Sequence, residues 1–260
     1  MNTVELLDKI AQKRIWHKEP VFCFTSDIDW ASEPVLEEFL GTMCKNDLKL
    51  TTFVTHASPT IQKYKDAGLI DRGIHPNFLS NSSHGDGFRA VAETCIQFAP
   101  EAIGFRCHRL FDVTDITHLL HDVFGFKYVS NLGTIMQPGI TPILHESGLV
   151  HFPIFFEDGT HLFNKLPFNL SQYMDRFLSP GIKIIIVHPM NFVINTPEIK
   201  YMRNIKDTLS REEYNQMSKD QFMELSYKGI GIRSMVENII SLAKKHTIMS
   251  LNEIYQLTIS

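Results

Sequence analysis

This sequence predicts an α/β protein built as a single (β/α) barrel of about seven strands, and three observations carry that expectation. Short apolar runs rich in Val, Ile and Phe alternate with amphipathic stretches of helical period, which is the pattern of βα units around a parallel sheet. The runs are apolar on both faces, as strands buried under helices are. Polar residues of ligand or catalytic type then stand at the C-terminal end of nearly every run. They are Asp27 and Asp29, His56, His75, Arg106 and His108, Asn131, Glu157 and Asp158, and His188. A barrel gathers its chemistry at that rim, which favours a closed or partly closed barrel over a doubly wound sheet.

The elements follow in order. Residues 21–29 form a first strand after Pro20, and Ser32 stands as N-cap of a helix with Pro34 in its first turn. A second strand spans 48–55. A helix from Ser58 to Ala67 ends on Gly68. Residues 73–77 are a short strand before a polar loop from Ser80 to Gly87. A helix over 87–98 leads to a strand at 102–107, and Thr114 caps a helix carrying Ile116, Leu119, Leu120 and Val123. Strands at 126–131 and 150–156 are followed by a helix at 169–178. Residues 182–187 are the most hydrophobic strand. Ser210 and Glu213 form a capping box for a helix ending near Lys228. Ile232, Met235, Val236, Ile239, Ile240 and Ala243 mark a strongly amphipathic helix, and 247–251 form a last strand. Residues 196–212 are polar without clear period and are expected to be an irregular excursion.

The length of 260 residues fits one domain spanning 1–260, large enough to bury a core without staples. Lys and Arg total 25 against 29 Asp and Glu, a net charge of −4, which excludes a phosphate-tracking nucleic-acid binder. Cys23, Cys44, Cys95 and Cys107 form no C-x-x-C pair and are spaced like buried small hydrophobes. The N-terminal stretch MNTVELLDKIAQKRIW is amphipathic and charged, unlike a signal peptide, and no apolar run reaches 18 residues. A soluble cytoplasmic protein without a membrane span is expected, and nothing indicates its oligomeric state. The unusual count is 12 His against 4 Cys, a surplus of nitrogen ligands and proton carriers.

Five constellations use that surplus. Asp27 and Asp29 in TSDIDW would point to one face of a strand end, where a divalent metal takes one carboxylate and an Arg or a proton the other. His75, held by Pro76, is suited to ligate. His84 lies beyond it in a loop able to fold back, with Asn77 as rival for the same position. One Asp and two His with open positions describe a catalytic zinc-type site. Arg106 beside Asp27 would hold that carboxylate ionised and oriented, with His108 on the same face. Glu157 and Asp158 are placed to support an Arg or a His. His188, ending the most buried strand, is placed to titrate near neutrality, and Asn191 and Asn195 follow as donors to polar ligand groups. The glycines of GIGIR precede a helix; a plain helix start is the simpler reading, and anion binding the alternative.

In that order the motifs resemble the polysaccharide deacetylase (NodB-homology) superfamily of metal-dependent carbohydrate N-deacetylases. FTSDIDW is similar to its first motif, GIHPNF with SSHG to the second, FRCH to the third, FFEDG to the fourth and IIIVHP to the fifth. GIHPNFLSNSSHG and VHPMNFVINT are most similar to the WbmS-like branch found with O-antigen synthesis. The likeness runs from about Phe22 to Asn195.

The resemblance implies a distorted (β/α) barrel, with Asp27 as general base, Asp29, His75 and His84 as metal ligands and Arg106 orienting the base. It implies Glu157 or Asp158 as the supporting acid and His188 as general acid. The expected cofactor is a divalent metal, Zn²⁺ first, with nickel, cobalt or manganese as alternatives. Two departures stand out. The two histidines of the second motif are farther apart than in the family, which makes Asn77 or His108 an alternative ligand, and FRCH lacks the family's Arg-x-Pro. The implied function is removal of an N-acetyl group from an amino sugar or surface-polysaccharide precursor. The alternatives are a metal amidohydrolase acting on a non-sugar linear or cyclic amide, and a catalytically silent carbohydrate-binding barrel.

Overall fold

A computed structural model describes residues 2–260. Ten strands form one sheet: β1 (Pro20–Asp27), β2 (Leu50–Val54), β3 (Ile70–Ile74), β4 (Gly104–Phe105), β5 (Tyr128–Val129), β6 (Ile143–Leu144), β7 (Val150–His151), β8 (Phe156–Glu157), β9 (Gly181–Ile186) and β10 (Thr247–Ile248). The order is β6-β7-β5-β4-β3-β2-β1-β9-β8, with β10 beside the first half of β1. Every pairing is parallel except β6 with β7.

The curl of the sheet follows from one segment. β7 pairs with β5 near one end of the order and β8 pairs with β9 at the other, yet only residues 152–155 separate them. Ile154 makes a bridge to Gly133, and the Phe155 N–H donates to the Ile184 carbonyl at 3.0 Å. The two ends of the sheet are thus stitched by one short stretch of chain, which distorts the barrel expected from sequence.

Several expectations change. About seven strands become ten, because the run at 150–156 divides into β7 and β8, and β6 was not foreseen. The third strand lies three residues earlier than expected, Ile70–Ile74 rather than 73–77, so His75 sits just past its end. Residues 196–212 are not irregular. They contain the helix Ile199–Thr208, which buries Met202 and Ile205. The helix expected from Ser210 to Lys228 is two helices, Arg211–Asn215 and Lys219–Leu225, each opened by its own capping box, Ser210 with Glu213 and Ser218 with Gln221. The last strand is shorter than the expected 247–251, ending at Ile248, and a helix not expected from sequence follows, Leu251–Ile259.

Strand alternation divides the core. Val21 and Cys23 of β1 join Ile182, Ile184 and Ile186 of β9, Phe53, Tyr128 and Phe152 inside the barrel, with Trp16 and Leu251 at its N-terminal end. Phe22, Phe24, Ile185 and Val187 face outward onto Val35, Leu36, Phe39 and Leu40 of the helix Glu33–Lys45. Asp27 continues the inward series of Val21 and Cys23, so it enters the barrel at the rim. The four cysteines are free, with Cys23, Cys95 and Cys107 buried as small apolar groups. No helix among the described residues is long and apolar enough to cross a membrane.

Candidate active site

The rim is built by extending the parallel ladder one step beyond the strands. The His75 N–H donates to Val54 O at 2.9 Å, Arg106 N–H to Ile74 O at 3.1 Å, and Val187 N–H to Thr25 O at 3.0 Å. His108 is held one turn further, its N–H donating to Pro76 O at 2.9 Å. Four strand ends therefore deliver side chains to one place with little backbone freedom.

Asp27 and Arg106 form a buried pair. Arg106 Nη1 donates to Asp27 Oδ1 at 2.7 Å and to Thr25 Oγ1 at 3.0 Å, while Nε and Nη2 donate to Ser130 O and Oγ at 3.0 and 2.9 Å. The guanidinium also lies 4.3 Å from the centre of the Phe53 ring. Burial by itself would raise the Asp27 carboxyl, but the Arg106 charge, aided by His75 and His188, outweighs it and leaves Asp27 below its ordinary value. Asp27 is thus an ionised carboxylate with its second oxygen turned to the rim.

Asp29, His75 and His108 form the second group, their ligand atoms all within 4.8 Å of one another. Asp29 Oδ1 lies 3.2 Å from His75 Nε2 and 3.1 Å from His108 Nδ1, and the two ring nitrogens are 3.4 Å apart. Burial would raise the Asp29 carboxyl, but hydrogen bonds from His108 and His75 hold it well below its usual value. These donors fit a divalent metal. Ligand bonds of about 2.0–2.1 Å in a tetrahedral site put neighbouring donors about 3.3 Å apart, close to the separations found here. Asp29 does not reach this position by strand alternation as expected. β1 ends at Asp27, and Asp29 and Trp30 both adopt left-handed backbone, with φ of 42° and 56°. Consecutive non-glycine residues in that region store strain, which is common where a side chain is re-aimed for function.

His188 and Asp158 form the third. Asp158 is fully buried; its Oδ1 lies 2.5 Å from His188 Nδ1 and its Oδ2 accepts the His188 N–H at 2.8 Å. Asp158 fixes the ring so that Nε2 faces Asp29 Oδ2, 3.8 Å away. Burial would lower the imidazole, but the Asp158 charge and hydrogen bond raise it well above its ordinary value. Glu157, offered beside Asp158 as the supporting acid, is turned elsewhere: it accepts from Thr160 Oγ1 at 2.5 Å and lines the cavity beside His188. Burial raises its carboxyl above the usual value.

His84, Asn77 and Asn195 are not brought to this cluster. His84 is buried, its Nε2 2.8 Å from Thr55 O and its Nδ1 accepting the Asn77 N–H at 3.1 Å. Both nitrogens are consumed in holding the loop, and burial lowers its pKa, so His84 does not join Asp29 and His75, beside which His108 stands instead. Asn77 Oδ1 accepts from the Leu79 N–H at 3.1 Å. Asn195 is a bracket: Nδ2 donates to Tyr227 O and Gly229 O at 3.0 and 2.9 Å, and Oδ1 accepts the Arg233 N–H at 3.2 Å. That last bond caps the helix Ile232–Ala243, so GIGIR is a helix start pinned from across the chain. Asn191 does reach the site, donating to Asp158 Oδ2 at 3.3 Å. Sequence reasoning missed Trp30, Lys206, Arg211 and Tyr214, which line the cavity over Asp29. The Ser210–Glu213 capping box placed a helix there but not what it covers.

The profile of the WbmS-like polysaccharide deacetylase family matches residues 24–206. Among solved structures, a Bordetella bronchiseptica protein provisionally assigned as a polysaccharide deacetylase of O-antigen biosynthesis superposes with a TM-score of 0.74 at 23% identity, over 86% of this chain and 90% of that one. A family 4 carbohydrate-esterase pseudoenzyme of Bacillus anthracis gives 0.46 at 11% identity, over 92% and 66% of the two chains. A peptidoglycan deacetylase of Bacillus subtilis gives 0.44 at 9% identity, over 92% of each chain. No curated protein matches the sequence.

Proposed function

Because the chain belongs to the WbmS-like family of polysaccharide deacetylases, we propose that it hydrolyses the N-acetyl group of an amino sugar in a surface polysaccharide or its precursor. The observation that supports this reading is a carboxylate and an imidazole beside the Asp29–His75–His108 group, Asp27 Oδ2 lying 4.0 Å from His75 Nε2 and His188 Nε2 3.8 Å from Asp29 Oδ2. Those three residues would hold a divalent ion, zinc being a natural match to two imidazoles and a carboxylate, which when bound polarises an amide carbonyl and lowers the pKa of water.

The remaining chemistry belongs to the protein. Asp27 accepts the proton of the attacking water, its ionised state secured by Arg106. Arg106 in turn cannot swing away, because Thr25, Ser130 and the Phe53 ring hold its other donors and its face. His188 holds a proton on Nε2 and gives it to the departing amine, a very poor leaving group unless protonated. Asp158 keeps the His188 ring in that orientation and its proton in place.

Acetate release from acetamido sugars, with divalent metal supplied, tests the proposal. Wild type should release acetate, and Asp27→Asn should lose about 10²–10⁴ of the rate. Asp27→Asn retaining most of the rate would remove Asp27 from the base role. Activity on simple amides but on no acetamido sugar would replace the sugar with a non-sugar substrate.

A further inference from the structure

The cavity over Asp29 has two unlike walls. A lobe of about 300 Å³ is bounded on the barrel side by Asp29, Trp30 and His108 and on the other by Lys206, Arg211 and Tyr214. A second lobe, about 200 Å³, holds Glu157, His188 and Asn191 and shares Asp29, Lys206 and Tyr214 with the first. The barrel wall thus presents Asp29 and Glu157 together with the His188 imidazole. The opposite wall, formed by the helices Ile199–Thr208 and Arg211–Asn215, presents two cations.

These cations are held at the cavity by aromatic rings. Lys206 Nζ lies 5.3 Å from the centre of the Tyr214 ring, and Arg211 Cζ lies 5.6 Å from that of Trp30. Among the described residues neither makes an ion pair within 4.0 Å, so both charges are free to meet a ligand. A neutral sugar takes only hydrogen bonds from these donors. An anionic sugar adds a charge-assisted contact to them, and in a chain of net charge −4 this wall is a local positive patch.

We propose that Lys206 and Arg211 select acetamido sugars that carry an anionic group, a ring carboxylate or a phosphate ester. The inference rests on the deacetylase reading for the acetamido part and on the cavity for the anion. It makes the excursion from Ile199 to Asn215 a specificity wall.

The test compares N-acetylglucosamine, 2-acetamido-2-deoxyglucuronic acid and N-acetylglucosamine 1-phosphate. Wild-type kcat/KM should favour an anionic sugar over the neutral one by about tenfold or more at low ionic strength, and 0.5 M salt should shrink the ratio. Which anion gains separates carboxylate from phosphate. In Lys206→Met/Arg211→Met the ratio should collapse toward one, mainly through KM, while Lys206→Arg should keep it. Equal rates on neutral and anionic sugars, or a preference that survives in the double variant, overturns the inference and leaves the deacetylase reading standing. Binding is read separately from turnover by Trp30 fluorescence, since the other tryptophan, Trp16, is buried. Anion-selective binding that the double variant loses, with no acetate released from any sugar, supports the inference while the deacetylase reading falls. Fluorescence titrations that do not distinguish anionic from neutral sugar overturn it.

Discussion

At the residue scale the site depends on two carboxylate partnerships of opposite purpose. Arg106 keeps Asp27 ionised, whereas Asp158 keeps His188 protonated. The second has a pH consequence. A general acid works only while protonated, so activity should fall as pH rises through the elevated pKa of His188. Asp158→Asn should bring that alkaline limb of the kcat/KM profile to lower pH, and an unmoved limb would take His188 out of the acid role. The same pairing bears on stability. A raised folded pKa favours the fold fully below the unfolded value, about 6.5, and that contribution is lost as pH climbs through the folded value. Asp27, Arg106, Asp158 and His188 were legible because each stands at or just past a strand end, where position alone predicts the rim. His84 was not, because nothing local distinguishes a loop histidine whose nitrogens face Thr55 and Asn77 from one that faces a metal. His108 was legible only as a reserve, since its place depends on a turn at residues 108–110 with left-handed Arg109 and Leu110.

At the scale of elements, composition locates the strands but not their lengths. Several are two residues long because the barrel's curvature breaks pairing early. Two glycines show how close the strands pack. A Cβ on Gly104 of β4 would come within 1.9 Å of the Tyr128 ring, and one on Gly73 of β3 within 2.5 Å of the Phe53 ring. Each absent side chain makes room for an aromatic inside the barrel. Gly104→Ala should therefore destabilise the protein by about 1–3 kcal/mol, seen as a lower urea midpoint, and an unchanged midpoint would mean that β4 can yield. Lys183 of β9 shows the converse. It is buried on the outer face of the barrel, with its Nζ donating to Ser179 Oγ at 3.0 Å and lying 4.5 Å from the Phe155 ring centre. Burial pushes its pKa down to about 8. A base with a depressed folded pKa costs stability when it must be charged, so stability should rise between pH 8 and the unfolded value of about 10.4. Lys183→Met should gain about 1–2 kcal/mol at pH 7 and flatten that rise in thermal melts; a loss of stability at pH 7 would show that the ammonium is well accommodated.

At the scale of the whole molecule the three residues proposed to hold a metal come from the ends of three strands, β1, β3 and β4. A bound ion would tie these together in the native state only. Zinc at about 100 times its Kd should add about 2.7 kcal/mol, or roughly 5–10 °C in Tm for a domain of this size. Chelation should reverse the gain, and His108→Ala should abolish it. A Tm indifferent to zinc would speak against a site there. The barrel class and the rim were readable from the alternation of apolar and amphipathic segments. The number of strands and the covering of the cavity were not, because both depend on contacts between segments far apart in sequence.

One such contact has a consequence for how the chain is made. Most of β1 is flanked by β9, with Pro20 to Thr25 opposite Gly181 to Ile186, some 160 positions away. Until β9 has been synthesised, the most apolar strand pair lacks one member, and β1 offers an open edge of Val, Phe and Cys. Nascent chains that stop before residue 181 should therefore depend on chaperones or aggregate, and His188, the proton donor, emerges just after the strand that closes that edge.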